Sequence, residues 1–300
     1  MFTIKDVEFH SDEYGVEPYL NNWPMIYILE DGHKAYVGQT YSINKRMSQH
    51  KDSDSKKSFT KAHFIYSDRF NQSATFDYES RLISLMSADR RFILTNQNAG
   101  LSGVNYYDKS SYDKEFEELW RELQKKKLTE NAIEDLEQSD LFKYSPYKTL
   151  NDEQRNTVSE IVNNLKSNLN RRIIVSGAPG SGKTILAVYL FKLLKESPMF
   201  SNMEIGYVVP PTSLRNTMKR VFKGINNLSA KDVLGPNDVT TRKFDILIVD
   251  ESHRLKQRKN LTSYGFYDDA CKRIGLPNTS TQVGCSQKRS EKILTNVSQL

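Results

Sequence analysis

Short apolar runs separated by a polar break open the ordered part of the chain. Met25-Ile-Tyr-Ile-Leu29 and Ala35-Tyr-Val-Gly38 flank the polar stretch from Glu30 to Lys34, whose Asp31-Gly32 pair favours a tight turn. The pattern predicts a β-hairpin. From Ser42 to His50 the period changes, with Ile43, Arg46, Met47 and His50 at three- and four-residue spacing, which predicts a helix. Asp52 to Lys57 is polar throughout and is expected to be a mobile surface loop. Lys61 to Tyr66 predicts a third strand, and Phe76 to Met86 a second helix carrying Glu79 on its first turns. The turn-rich run over 96–103 is expected to close this unit.

The segment 111–143 is dense in charge, yet Phe116, Leu119, Trp120 and Leu123 recur at helical spacing. One or two connecting helices are expected there, and an amphipathic helix of this kind usually packs against a domain. Ser145-Pro146 marks a boundary. Beyond it come a helix from Asn151, an apolar strand from Arg172 to Ser176, a glycine-rich loop, a helix, a strand from Ile205 to Val209, a further helix and a strand from Ile246 to Val249. This β-α-β-α-β order predicts a mostly parallel sheet covered by helices. The expected architecture is an α+β domain over 1–108, a helical linker over 109–147 and an α/β nucleotide-binding lobe over 148–300.

Composition agrees with a soluble folded chain without a spanning segment: the most apolar stretch, Ile185 to Leu194, is short and interrupted by Lys192. The N-terminus lacks the apolar stretch of a signal peptide, and Cys271 and Cys285 make neither a metal cluster nor a disulfide framework, so a reducing cytoplasm is expected. Charge is split between the halves. Residues 1–150 hold 20 Lys and Arg against 24 Asp and Glu, whereas residues 151–300 hold 23 against 13. The basic half suits a polyanionic partner, although a solvated basic surface would look the same.

Chemistry is most explicit in the glycine-rich loop. Gly177, Ala178, Pro179, Gly180, Ser181, Gly182, Lys183 and Thr184 satisfy G-x-x-x-x-G-K-[ST] between a predicted strand and a predicted helix. Glycines let backbone N–H groups turn toward phosphates, Lys183 adds a point charge, and Thr184 offers a hydroxyl to Mg²⁺. The apolar strand ending in Asp250-Glu-Ser-His253 supplies the other half of the site: Asp250 would hold Mg²⁺ and Glu251 would orient the attacking water. ATP with Mg²⁺ is the expected ligand.

The Asp-Glu-Ser-His quartet resembles the Walker B box of helicase-like ATPases with a RecA-like fold. That resemblance implies a nucleotide-contacting role for His253. Leu150-Asn-Asp-Glu-Gln154 resembles the motif by which superfamily 1 helicases read adenine, which would make Gln154 an adenine contact; Asn151 with Gln154 is equally a helix-capping box. Val208 to Leu214 resembles the single-strand-contacting motif after the second strand. The resemblance covers one of two lobes, so a partner protein, a further copy or a C-terminal lobe is expected to complete the ATP site. Lys292 to Gln299 is the candidate strand leading to the next helicase motif, in an altered form.

The hairpin carries Met25-Ile-Tyr27 and Tyr36-Val-Gly38, which resemble the two tripeptides of the GIY-YIG nucleases, with Met25 for the first glycine and Val37 for an isoleucine. Arg46, His50, Glu79 and Asn96 follow in the family's order, so the resemblance spans about 24–105. It implies that Tyr27, Tyr36, Arg46, His50, Glu79 and Asn96 surround one scissile phosphate. Glu79 would bind Mg²⁺, Arg46 the non-bridging oxygens, and Tyr27, assisted by Tyr36 or His50, would activate water. Asn96 would orient the site. His10, His33 and His63 are read as structural or loop residues. The favoured expectation is an ATP-linked DNA endonuclease, of a kind suited to defence against foreign DNA. The alternatives are a DNA-binding regulator without catalysis and an NTPase assembly subunit that uses the loop as a switch.

Overall fold

The computed structural model describes residues 2–11, 14, 22–96, 100, 105–147, 150–167, 172–256, 264–277, 280, 282 and 290–298, with backbone only at 290–292 and 295–298. The expected turn-rich closure at 97–99 and 101–104, Cys285 and Gln299 lie outside the described residues. The chain divides into two compact units, one of residues 1–143 with 147–149 and one of residues 144–146 with 150–300.

The first unit is a five-stranded mixed sheet in the order β1-β4-β2-β3-β5, formed by β1 (Thr3–Glu8), β2 (Met25–Glu30), β3 (Lys34–Thr40), β4 (Lys61–Tyr66) and β5 (Ile93–Leu94). Its neighbours are antiparallel except β3 and β5. Central β2 is buried on both faces, which explains its unbroken apolar run. Met25, Tyr27 and Leu29 pack with Ile43 and Met47 of α1 (Ile43–Lys51), while Ile26 and Ile28 join Tyr78 and Leu82 of α2 (Gln72–Asp89) in the other cluster. The hairpin turn is held by the Asp31 carboxylate, which accepts the N–H groups of His33 at 2.9 Å and Lys34 at 2.6 Å, with Gly32 at φ +85°.

Three features depart from the periodicity. Edge strand β1 was not expected. Helix α2 starts four residues earlier than Phe76, because Asn71 accepts the Ala74 N–H at 2.9 Å and caps a polar first turn. The charge-dense segment forms α3 (Lys109–Lys125), α4 (Ile133–Gln138) and α5 (Asp140–Lys143), which fall within the first unit. Tyr112, Phe116, Leu119, Trp120 and Leu123 enter the same core as α2. The buried Asp89 carboxylate takes the N–H groups of Glu130 at 3.0 Å and Asn131 at 2.8 Å, fastening the α3–α4 turn to the end of α2.

The second unit is an all-parallel sheet in the order β6-β10-β9-β7-β8, from β6 (Arg172–Gly177), β7 (Ile205–Val208), β8 (Val233–Leu234), β9 (Phe244–Val249) and β10 (Ser290–Ser298). It alternates with α6 (Asp152–Ser167), α7 (Lys183–Glu196), α8 (Thr212–Lys223) and α9 (Tyr264–Arg273). This is the α/β architecture of a P-loop lobe. The tail strand β10 lies between β6 and β9, so it is an inner strand that joins β6 to the rest of the sheet. Lys192, the charge within the most apolar helix, is buried and paired with Glu196 at 2.7 Å one turn on. Among the described residues, no helix is long and apolar enough to cross a membrane.

The packing generates a stability prediction. Trp120 is 2 % exposed and donates to the Asn131 carbonyl at 3.0 Å. Trp120→Ala is expected to cost about 3–5 kcal/mol in urea unfolding followed by circular dichroism; a loss below about 1 kcal/mol would mean that α3 contributes little to the core.

Candidate functional site

Tyr27 and Gly38 are direct partners in the β2–β3 register. A Cβ at residue 38 would lie 2.2 Å from the Tyr27 hydroxyl oxygen, so the glycine lets the tyrosine ring cross over its neighbouring strand. Residues one turn apart on α1 meet that hydroxyl: Arg46 Nε donates to it at 3.0 Å, and His50 Nε2 lies 2.7 Å away. Tyr36 is close to both, its ring centroid 6.2 Å from that of Tyr27 and 5.3 Å from that of His50. Asn96, after β5, accepts the Val37 N–H at 3.1 Å and donates to the Val37 carbonyl at 2.8 Å. Its side chain thus acts as one further strand residue and pins the Tyr36–Gly38 backbone. Glu79, on the second turn of α2, accepts a hydrogen bond from the backbone of Gln39. Gly100, at φ +73°, comes so close that a Cβ there would lie 3.1 Å from Glu79 Oε2.

Burial sets the protonation pattern. Loss of solvent, then the neighbouring Tyr36, raises the Tyr27 phenol well above its usual range, and Arg46 opposes this. Burial also raises Tyr36. His50 is pushed down to about 4, first by burial and then by the positive charges of Arg46 and Lys56. Glu79 is pushed up to about 7 by burial, against the pull of Gln39 and Arg46. The pocket therefore holds two neutral phenols, a neutral imidazole and one carboxylate poised to lose its proton. Among the described residues no cluster of three or more His, Cys, Asp or Glu forms a metal centre. A single carboxylate of this kind suits a hard divalent ion completed by water and phosphate oxygens.

One member was not anticipated. The segment expected to be a mobile loop is instead a run of turns in which Lys56 points inward, 9 % exposed, its Nζ 3.3 Å from the centroid of the Tyr36 ring. The available signal was weak: Phe59, three residues on, is an apolar anchor that draws the segment against β2. Of the histidines set aside, His63 is buried against Asp6 at 2.8 Å, His10 is exposed beside the Lys57 carbonyl, and His33 lies in the hairpin turn.

In the second unit, Gly180 and Gly182 take φ +79° and +82°, the left-handed conformation that a phosphate-cradling loop needs and L side chains rarely hold. Gly182 precedes the first turn of α7, which places Lys183 and Thr184 at a helix N-terminus. Lys183 Nζ donates to the carbonyls of Gly177 at 2.8 Å and Ala178 at 2.7 Å, while Ser181 Oγ lies 3.3 Å away. Thr184 donates to Asp250 Oδ1 at 3.3 Å, so the two residues expected to hold Mg²⁺ are adjacent. Asp250 is fully buried, and its other oxygen accepts from Tyr207 of β7 at 2.9 Å, a contact that nothing in the strand's sequence announced. Glu251 adopts φ 52° and donates its N–H to Asp250 Oδ1 at 3.0 Å. Its carboxylate lies 3.1 Å from Arg254 Nε and 3.4 Å from His253 Nε2. Both halves of the capping box form, at 3.1 and 2.8 Å between Asn151 and Gln154. The same Gln154 side chain donates to Ser181 O at 3.0 Å, joining α6 to the loop. Pro179 completes the loop between Ala178 and Gly180. The glycine conformations, the lysine and the Thr184–Asp250 pair fit a magnesium-bound nucleoside triphosphate.

These geometries agree with the family comparisons. Residues 24–92 match the GIY-YIG catalytic domain, and residues 170–274 match the Schlafen group 3, DNA/RNA helicase domain. The chain thus carries a GIY-YIG catalytic domain followed by a Schlafen-group-3 helicase-like domain. The first makes it a nuclease acting on nucleic acid, and the second an NTPase. No curated protein matches the chain.

Two predictions follow from the pocket. Gly38→Ala is expected to displace the Tyr27 ring and destabilise the protein by roughly 1–3 kcal/mol in urea melts; an unchanged midpoint would mean that the ring moves freely. For His50, the folded value of about 4 lies below the ordinary 6.5, so the unfolded chain binds more protons between these values. Its contribution to stability is present above pH 6.5 and is lost as pH falls toward 4. Wild type should therefore lose more stability than His50→Gln between pH 7 and pH 5; parallel losses would contradict the buried neutral imidazole.

Proposed function

We propose that the protein is an ATP-binding, metal-dependent DNA endonuclease whose nuclease chemistry belongs to residues 1–108 and whose helicase-like lobe, residues 148–300, gates or drives DNA engagement. Defence against foreign DNA is the role we assign to that pairing, by analogy of architecture alone. The observation that carries the nuclease reading is the convergence of Arg46 and His50 on the Tyr27 hydroxyl, with Glu79 interacting electrostatically with the same group.

The chemistry is a proton relay. Tyr27 is too well protonated to act as a resident base, but its hydroxyl is in hydrogen-bond contact with the Nε2 lone pair of a neutral imidazole. As an attacking water gives its proton to the Tyr27 oxygen, Tyr27 passes its own to His50 Nε2. Arg46, whose Nε engages the phenol and whose guanidinium also reaches Gln49 Oε1 and Tyr36, would exchange these outer contacts for the non-bridging phosphate oxygens. Tyr36 bounds the pocket, and Asn96 holds its strand in register. A Mg²⁺ ion held by Glu79 would neutralise charge that develops on the phosphate.

In the nucleotide lobe, Gly177 to Thr184 would cradle the triphosphate, with Lys183 leaving its carbonyl partners for the β- and γ-phosphates. Thr184 and Asp250 would hold its Mg²⁺, Glu251 would orient water, and Gln154 and His253 would contact the nucleotide. Nucleotide binding then controls access of DNA to the nuclease.

Incubating plasmid with Mg²⁺, with and without ATP, tests both halves. Glu79→Ala is expected to lower cleavage by roughly a hundredfold or more while leaving ATP binding intact. Lys183→Ala is expected to abolish ATP turnover and to remove any dependence of cleavage on ATP. Plasmid left intact by wild type and Glu79→Ala alike would defeat the nuclease assignment, and cleavage indifferent to ATP would defeat the gating.

A further inference from the structure

We propose that Lys56 is a positioning residue of the nuclease site, its ammonium seating the Tyr36 ring and forming with Arg46 a pair of cations around the Tyr27–His50 couple. The inference rests on the nuclease reading above and deepens it.

The turns after α1 carry the side chain inward. Ser53 N–H bonds the His50 carbonyl at 3.2 Å, Lys56 N–H the Ser53 carbonyl at 2.9 Å and Phe59 N–H the Lys56 carbonyl at 3.1 Å. Phe59 is buried beneath β2, so the segment cannot swing out without exposing it. Lysines are almost never this buried without a counter-charge. The contacts of Lys56 among the described residues are the Tyr36 ring at 3.3 Å, the Phe59 ring at 5.7 Å and the Thr95 hydroxyl at 3.4 Å. A ring face is an attractive seat for a desolvated cation. Thr95 immediately precedes Asn96, so the same turn that pins the Tyr36–Gly38 strand also holds the ammonium. If the segment served packing alone, an apolar side chain of equal length would suffice.

The charge acts on the relay. The ionisable groups facing His50 are Tyr27 from β2, Tyr36 from β3, Arg46 from α1 and Lys56 from the turns, and Glu79 from α2 acts on both tyrosines. Two cations beside an imidazole disfavour its protonated form, after burial has already done so. Lys56 is itself lowered to about 8 by burial and by Arg46, and is therefore still charged at pH 7. Its presence keeps the resting imidazole unprotonated into the acid range, with Nε2 open to the hydrogen bond of the Tyr27 hydroxyl.

The test compares full-length wild type with Lys56→Met and Lys56→Arg, with Lys56→Gln as a second neutral variant should the methionine fail to fold. Histidine titration is followed by NMR on the DNA-free protein, with His50→Gln used to assign the resonance. Removing the charge should raise the His50 midpoint, and Lys56→Arg should restore it. In plasmid cleavage the acid limb should move to higher pH with His50, and at the pH optimum the neutral variants should lose roughly tenfold in kcat with KM unchanged, because the Tyr36 ring loses its seat. An unchanged His50 midpoint overturns the proposal. So does a loss confined to KM with a shallower salt dependence, which would make Lys56 a phosphate contact. If wild type leaves plasmid intact, the nuclease reading fails, and the His50 midpoint still decides whether Lys56 is placed as described.

Discussion

A phenol hydroxyl buried at the centre of a sheet must be hydrogen-bonded or it costs free energy, and in the first unit that requirement organises the candidate site. Tyr27 is fully buried, opposite a glycine that makes room for its ring. The hydroxyl is satisfied by the two polar residues one turn apart on the helix that covers that face. Arg46 and His50 are thereby held to one point, Tyr36 follows from the strand pairing, and Asn96 locks the strand in place. The same enclosure that makes the partners obligatory also shifts their protonation. Burial lifts the phenols and the Glu79 carboxyl and depresses the imidazole, so the groups are tuned by the packing that positions them.

The second unit obeys a related rule with a carboxylate in place of a phenol. Asp250 is delivered by β9 into a fully buried position, where one oxygen is taken by Tyr207 and the other faces Thr184 and the Glu251 N–H. A buried carboxyl group of this kind is tolerated where hydrogen-bond partners surround it. Satisfying Asp250 draws the end of β9 against the first turn of α7. Positive φ at Glu251, worth roughly 1–2 kcal/mol of local strain, is the geometric cost of turning the chain directly after the buried carboxylate. Gln154 shows how one side chain serves two ends: its oxygen caps α6 and its amide nitrogen ties the phosphate-binding loop to that helix. Capping and contact with the nucleotide site are therefore not rival roles.

Much of this was legible along the chain because it depends on neighbours in sequence. The hairpin follows from Asp31-Gly32 between apolar runs, α1 from the spacing of Ile43, Met47 and His50, and the phosphate-binding loop from glycines whose freedom at positive φ is local. The order of Tyr27, Tyr36, Arg46, His50, Glu79 and Asn96 sufficed to nominate one pocket, since a hairpin, a following helix and a later helix have few ways to pack. What the sequence could not carry are features whose cause lies far away. Edge strand β1 exists because β4 offers it a ladder, and β10 is an inner strand because β6 and β9 leave a parallel gap between them. The apolar stripe of α3 and its packing against a domain were readable, but that the receiving surface is the core of α2 was not. Lys56 sits in a stretch that reads as solvent-exposed, and Tyr207 in one that reads as plain core. Each acquires its meaning only when tertiary packing removes water around it and leaves a ring face, or a buried carboxylate, as the available partner. Local periodicity and fixed spacing are written into the chain itself, whereas desolvation and the partners it enforces arise only when distant segments meet.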